Sequence, residues 1–511
     1  MADWGHIGDF TVELGLAGPA SGPVLRVWYG NGGTLLAQTE PGRIYQTSDL
    51  EIWQRTTTAA PPAVVNFKAQ SLPEAGAQAR ALGGDTNRVY AFGNFVYRSD
   101  DGGAHWENLT AYRGASLTGS VVDLAVAPGN VDEIVTGGAA GVFRSVDGGR
   151  SWIGLNQGLP NLPATRLLDL PAGDQGARIA LRNDAVADWP PGNKDAWLPA
   201  SNSDLVNETQ LRAALSSLRG VNVTALAIAG DFIYTGMQNG DVSVSANRGL
   251  SWQTFSSPGS GAVERFWVDS HDPRVALAAL GAAPGDPFRT SAPAHVLHTI
   301  NGGSFWDNFT ANLPDAAVHG VAADRASAVL YAATDTGVYM AYADLNALGS
   351  VDAWTAVPGL PDGAAMDVKL DAQANQLWAA LDGYGVYSTL APHRLRDPSV
   401  VSAADMIAQA VAPGSLVSVL GAQVDNVRAS GLLAPVLAAS VSESQIQIPF
   451  EVRGDTLSLA ASFAGNDVKL PSLPLAATAP VLFVARDGSP MLLDAEKGVM
   501  LDAAMAAHTG T

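Results

Sequence analysis

Apolar residues along this chain come in short runs, many alternating with polar ones, and nearly every run ends at Gly, Pro, Asn or Asp. "VLRVWYG", "TLLAQT" and "RIYQT" open the series, and "VVDLAVAP", "EIVTGG" and "GVFRS" repeat its form further on. Short period-two runs bounded by turn formers predict β-strands. One stretch departs from this period, "SDLVNETQLRAALSSLRG" (Ser203–Gly220), and reads as a helix inserted between strands. The predicted class is all-β.

The runs recur as units of strands. "RIYQT", "FVYRS", "GVFRS", "DVSVS", "HVLHT", "GVYMA" and "GVYST" read as copies of one strand, ending at Thr47, Ser99, Ser145, Ser245, Thr299, Ala341 and Thr389. The spacing is 42 to 54 residues except between Ser145 and Ser245, where it is 100 and where "TRLLDLPAG", "ARIALRND" and "DAWLPAS" make a degenerate copy. Eight copies of about four strands predict a single β-propeller with eight blades favoured over seven. The last copy offers only "MDVKLD", "QLWAAL" and "GVYST". An unpaired edge is costly, so the N-terminal "DFTVELGL" (Asp9–Leu16) is expected to supply the outer strand and close the ring.

Between the third and fourth strands a pattern S-x-D-x-G-x-x-W appears at Ser99/Asp101/Gly103/Trp106 and Ser145/Asp147/Gly149/Trp152. Asn replaces Asp at Ser245/Asn247/Gly249/Trp252 and Thr299/Asn301/Gly303/Trp306, and a shortened form ends at Trp53. The Asp or Asn accepts backbone N–H groups ahead of it, Gly supplies a positive φ, and Trp packs on the same hairpin. The pattern resembles the Asp-box (BNR) repeat of bacterial sialidases, sortilin-type receptors and some xyloglucan hydrolases. That resemblance implies turns on the outer strands, away from any active site, so Asp101 and Asp147 are read as structural.

The propeller is assigned to residues 1–392. After "APHRLRDPSV" the wording changes, and residues 399–511 read as a β-sandwich. "VAPGSLVSVLGAQV" (Val411–Val424) and "SESQIQIPFEV" (Ser442–Val452) resemble an Ig-like C-terminal domain common in exported acidobacterial proteins. The resemblance implies a bacterial protein that is secreted or held at the cell surface. The final stretch, "MLLDAEKGVMLDAAMAAHTGT", comes where that family continues with further strands, so the sandwich is expected to be incomplete or completed by something else. The start, "MADWGHIGDF", lacks the basic and apolar regions of a signal peptide.

Composition narrows the partners. The formal charge of −20 over 511 residues, with no basic run, argues against nucleic acid. No apolar run is long enough for a membrane helix. Cysteine is absent, which removes disulfides and thiolate metal sites. Eight histidines form no H-E-x-x-H cluster, and no G-x-S-x-G elbow appears. "GNGG" (Gly30–Gly33) and "GGDTN" (Gly83–Asn87) read as hairpin turns.

Candidate chemistry comes from aligning the innermost strands: "VLRVWYGN", "AQARALGG", "VVDLAVAP", "TRLLDLPA", "VTALAIAG", "VERFWVDS", "VHGVAADR" and "AMDVKLDA". Positions two and three collect Arg26, Asp123, Arg166, Glu264, Arg265, His319 and Asp367, expected to ring one region at the channel mouth. In one reading these charges pair into bridges that hold the ring. In the other, Arg26, Arg166, Arg265 and His319 bind a ligand, and Glu264, Asp123 or Asp367 serves as general acid or base. No cofactor is required, although Glu264, Asp123, Asp367 and Asn222 offer an axial calcium ion a set of oxygens. The sialidase Phe/Tyr-Arg-Ile-Pro motif is absent, and no nucleophilic tyrosine is assigned. A binding face calls for exposed aromatics; Trp28, Trp189 and Trp267 are the candidates, with packing in the core the leading reading for each. The leading expectation is a propeller whose face binds an extracellular ligand: a glycan, another polymer, a small molecule or a protein. The alternatives are a hydrolase of glycosidic or ester bonds, phosphoesters included, and a structural cell-surface module.

Overall fold

The computed structural model describes residues 2–14, 17–82, 87–111, 117, 119–172, 175–257, 260–282, 293–395, 398–440, 442–485, 490–493 and 500–501. Among them the chain folds into eight four-stranded antiparallel propeller blades followed by two further four-stranded sheets. The inner strands of blades 1 to 8 are Val24–Tyr29, Gln78–Ala81, Val121–Ala127, Ala164–Asp169, Val223–Ala229, Val263–Val268, Val318–Asp324 and Ala365–Leu370. The strands next to them, such as Val89–Phe92, Ala276–Leu280 and Val329–Thr334, are buried at every residue. Sheets that are covered on both faces need no polar alternation, which is why these strands read as unbroken apolar runs. Small residues let the blades approach: a Cβ on Gly236 would lie 2.3 Å from Val263 of the next blade.

The degenerate copy forms blade 4, with strands Ala164–Asp169, Ala177–Leu181, Val186–Trp189 and Leu198–Ala200. Helix α1 (Ser203–Arg219) follows it and ends where Gly220 turns left-handed and donates its N–H to Ser216 O.

The last blade is closed from the N-terminus, as expected, but by a different segment. Gly5–Ile7 pairs with the third strand of blade 8, with Gly5 opposite Ser388, His6 opposite Tyr387 and Ile7 opposite Val386. Gly8 ends this strand at φ 79°, where a Cβ would lie 2.5 Å from Trp197 Nε1. The chain is thereby turned onto blade 4, so Val12 bridges Ala20 and Trp197 instead of pairing with blade 8. Gly15 and Leu16 lie outside the described residues. His6 sits 4.2 Å from the ring of Phe10 and 4.9 Å from that of Tyr387. Burial lowers its pKa to about 4.

Blade neighbours do not follow chain order throughout. The inner strand of blade 3 packs against those of blades 1 and 2, while that of blade 8 packs against those of blades 7 and 4. Blade 6 lies between blades 7 and 5, and α1 packs on the inner strand of blade 5. The blades therefore form two arcs, 2–3–1 and 4–8–7–6–5. Polar seams join the arcs. Asn161 Nδ2 donates to Gly22 O at 2.6 Å, Arg43 Nη1 donates to Asp382 O at 2.8 Å, and Arg182 reaches both Glu40 and Asp382. An apolar core containing Tyr45, Val135, Tyr331 and Tyr384 is shared between them.

After blade 8 ends at Leu390, a short turn at Pro392–Leu395 leads into the two further sheets. One contains Ser399–Ser402, Leu416–Leu420, Glu443–Gln447 and Val436–Ala439; the other contains Leu432–Ala434, Asn426–Ala429, Leu459–Phe463 and Asn466–Val468. Val417, Val419, Val427, Ile446 and Ala461 form one core between them, the arrangement of a sandwich. Most of the final stretch, and most of "GGDTN", lies outside the described residues.

Candidate functional site

The five turns that carry the Asp/Asn pattern are closed systems. Ser145 Oγ donates to Asp147 Oδ1 at 2.8 Å, and the same carboxylate oxygen accepts the N–H groups of Arg150 and Ser151 at 2.9 Å. Gly149 holds φ 88° and donates to Ser145 Oγ, and Trp152 Nε1 donates to Gly149 O. Asn247 and Asn301 accept in the same way from Ser251 and Phe305. These hydrogen bonds depress the Asp147 pKa to about 2 against the opposing effect of burial. Asp101 is held well below the usual carboxylate range, chiefly by the backbone N–H of His105. Ionised and occupied by backbone, both carboxylates are structural.

The inner strands carry a second recurring device. In seven of the eight blades the pairing register slips between the first and third residues: Val24/Arg26, Val121/Asp123, Ala164/Arg166, Val223/Ala225, Val263/Arg265, Val318/Gly320 and Ala365/Asp367. A bulge re-aims the side chains it carries. It explains why positions two and three collect charge, and why blade 2, which has no bulge, presents Arg80 instead, one place later in the alignment.

These residues form two clusters rather than one, and this corrects the expected single ring. In the first, Asp123 is buried and accepts Arg26 Nε at 2.9 Å, Arg80 Nη2 at 3.1 Å and Val27 N at 3.1 Å. Arg26 also donates to Pro62 O, and Arg80 lies over Phe92. Burial lowers the Arg80 pKa, with Asp123 opposing. This carboxylate is enclosed by two guanidinium groups.

The second cluster lies in the longer arc. Asp367, also buried, accepts Leu167 N at 2.9 Å and stands 3.5 Å from Arg265 Nε. Arg265 Nε donates to His319 O at 3.1 Å. Arg166 is turned away to Glu208 of α1, 2.7 Å from its Nη1. His319 lies between two carboxylates, with Nδ1 2.6 Å from Glu264 Oε2 and Nε2 2.9 Å from Asp335 Oδ1. Burial works against the imidazolium, but Glu264 and Asp335 outweigh it and raise the His319 pKa. Burial lowers the Arg265 pKa, with Asp367 opposing. A polar cavity of about 230 Å³ opens here, lined among others by Arg166, Glu208, Arg212, Glu264, Arg265 and His319.

Of the seven predicted residues, Arg166, Glu264, Arg265, His319 and Asp367 thus come together, and Arg26 and Asp123 stand apart with Arg80. Glu264, Asp123 and Asp367 do not converge as a calcium site would need, and Asn222 faces Gln238 at 3.3 Å. Among the described residues, no group of three His, Cys, Asp or Glu has the arrangement to hold a metal ion. Trp28 and Trp189 are buried and offer no stacking face, and Trp267 is half-buried against the core. Sequence reasoning missed Arg80, Glu208 and Asp335. Arg80 was displaced by the missing bulge, Glu208 lies on the insertion, and Asp335 follows the second strand of blade 7, outside the inner-strand alignment.

No protein-family model matches the chain, and no curated protein does. Solved structures similar to it include the β-propeller domain of Cps50 (Swd1) from Myceliophteria thermophila, at 11% identity over 73% of this chain and 97% of that one, TM-score 0.24. YCF48 bound to D1 peptide is 15% identical over 66% and 96%, TM-score 0.19. The GH74 enzyme of Niastella koreensis is 16% identical over 78% and 58%, TM-score 0.28.

Proposed function

We propose that this protein is a bacterial extracellular propeller that binds a polar unit of a larger ligand, such as one sugar of a glycan, in the cavity of the longer arc. The supporting observation is the Glu264–His319–Asp335 chain. It is an acid–imidazole–acid set in which Glu264 pairs with His319, on the wall of a cavity whose size suits one small polar group. Arg166 and Arg265 line the same cavity and give it cationic donors for a carboxylate or phosphate on the ligand. Export is supported by the resemblance of residues 411–424 and 442–452 to an Ig-like domain of exported proteins.

A hydrolytic reading rests on the same chain. An imidazolium held by two carboxylates has a proton to deliver to a leaving oxygen, and Glu264 beside it is placed to accept one. Both readings are tested with neutral and acidic sugars in a thermal-shift assay and with chromogenic glycosides, carboxylic esters and phosphoesters. Binding or turnover that falls at least about tenfold in Glu264→Gln and His319→Gln supports the site. Binding or turnover that is unchanged in both removes it.

A further inference from the structure

Helix α1 is the element that the propeller repeat does not account for, and it makes one wall of the cavity through Leu205, Glu208, Thr209 and Arg212. Its two ends are held differently. At the C-terminal end, Val223 N donates to Ser216 Oγ at 2.9 Å, and Arg219 donates to Ser243 Oγ at 2.9 Å while lying 4.6 Å over the Trp252 ring. Gly220 caps the helix directly before blade 5 begins. At the N-terminal end, the contacts to blade 4 are Leu205, which packs with Ala180 and Val186, the Glu208–Arg166 pair, and Asn202 Nδ2 to Asp184 O.

Apolar burial does little to fix this helix. Leu205 is its only buried residue, and Leu218 is 76% exposed. The Arg166 and Glu208 side chains are 31% and 27% exposed, so their attraction is screened by water. An element with one apolar anchor and a solvated ion pair belongs to the low-stability end of a fold. We infer that α1 is a gate over the cavity, hinged on blade 5 at Ser216–Gly220 and latched on blade 4 by Arg166–Glu208 and Leu205. Opening the latch releases Arg166, so a ligand with an anionic group gains a guanidinium partner in the open state. This inference rests on the cavity being the ligand site.

The absence of cysteine from the chain permits a direct test that needs no ligand. Met366 lines the cavity, so Met366→Cys places a single thiol inside it. Its reaction with a bulky maleimide is expected to be slow in the otherwise unchanged chain. It accelerates about fivefold with Glu208→Gln and about thirtyfold when Leu205→Ala is added. Leu218→Cys, on the exposed side of the helix, keeps its rate in all backgrounds. Amide exchange over 203–219 increases in the latch variants while that of the buried strand Ala276–Leu280 does not. Equal rates at position 366 with and without the latch overturn the gate, as does a rise in exchange shared by Ala276–Leu280. If the gate fails and sugar binding persists, the ligand site stands without it. If labelling is gated and none of the sugars or chromogenic substrates engages, the gate stands and the ligand reading falls.

Discussion

Asp123 and Asp367 occupy the same place in their blades, the third residue of a bulged inner strand, and each accepts the backbone N–H that follows an arginine of the neighbouring blade. In the shorter arc that arginine, Arg26, bonds the same carboxylate, and Arg80 closes the other side. In the longer arc the corresponding arginine, Arg166, is drawn away to Glu208, and Asp367 is left with Arg265 at 3.5 Å. One repeated position has therefore become a sealed joint in one place and the rim of a cavity in another. The difference is produced by an insertion, not by the residues of the repeat. A charged residue at a propeller hub is assigned a role by what its neighbours do with their own charges.

The comparison is broken most directly at Asp123. Asp123→Ala leaves two half-buried arginines facing each other and is expected to cost about 3 kcal/mol in urea unfolding. Glu264→Ala should cost under about 1 kcal/mol while abolishing ligand response or turnover. A reversal of these two effects would exchange the roles assigned to the clusters.

The clasp and the cavity should respond to pH with opposite signs. His6 is half-buried and neutral, with its folded pKa near 4 against 6.5 unfolded. Its contribution is complete above pH 6.5 and is lost as pH falls toward 4, about 2 kcal/mol allowing for its partial exposure. His6→Gln should flatten that slope. His319 is raised, so its contribution is complete below pH 6.5 and is lost as pH rises through the folded value. His319→Gln should remove this alkaline loss, read by melting temperature from pH 5 to 9 at constant salt (about 0.15 M). Two slopes of the same sign would refute the assignment of one of these histidines. The smallest effect is expected at the outer turns. Asp147→Asn keeps the acceptor, as Asn247 does in blade 5, and should cost about 0.5 kcal/mol with no change at the cavity.

The repeat made much of this visible in the sequence. Strand period, the spacing of Thr47 to Thr389 and the turn pattern marked eight blades, including the degenerate fourth, because each is a local property of a few adjacent residues. Closure from the N-terminus was also legible, yet the strand assigned to Asp9–Leu16 is Gly5–Ile7. An alternating run shows that a strand fits; it does not show that Gly8 turns the chain onto Trp197 first. The bulges gathered charge at two positions, and the sequence carried that signal. Which blade faces which has no period to read, since it depends on how Asn161, Arg43 and Arg182 join the arcs. The alignment therefore placed Arg26 and Asp123 with residues they do not meet, and passed over Glu208, which lines the cavity, and Asp335, which holds His319.

The pairing of Gly5–Ile7 with Gly385–Leu390 has a consequence for how the molecule comes into being. Gly5–Ile7 is made long before Gly385–Leu390, the strand it pairs with. Until then residues 5–7 have no partner in blade 8, so a change in this strand acts on a late step of assembly and not on the first.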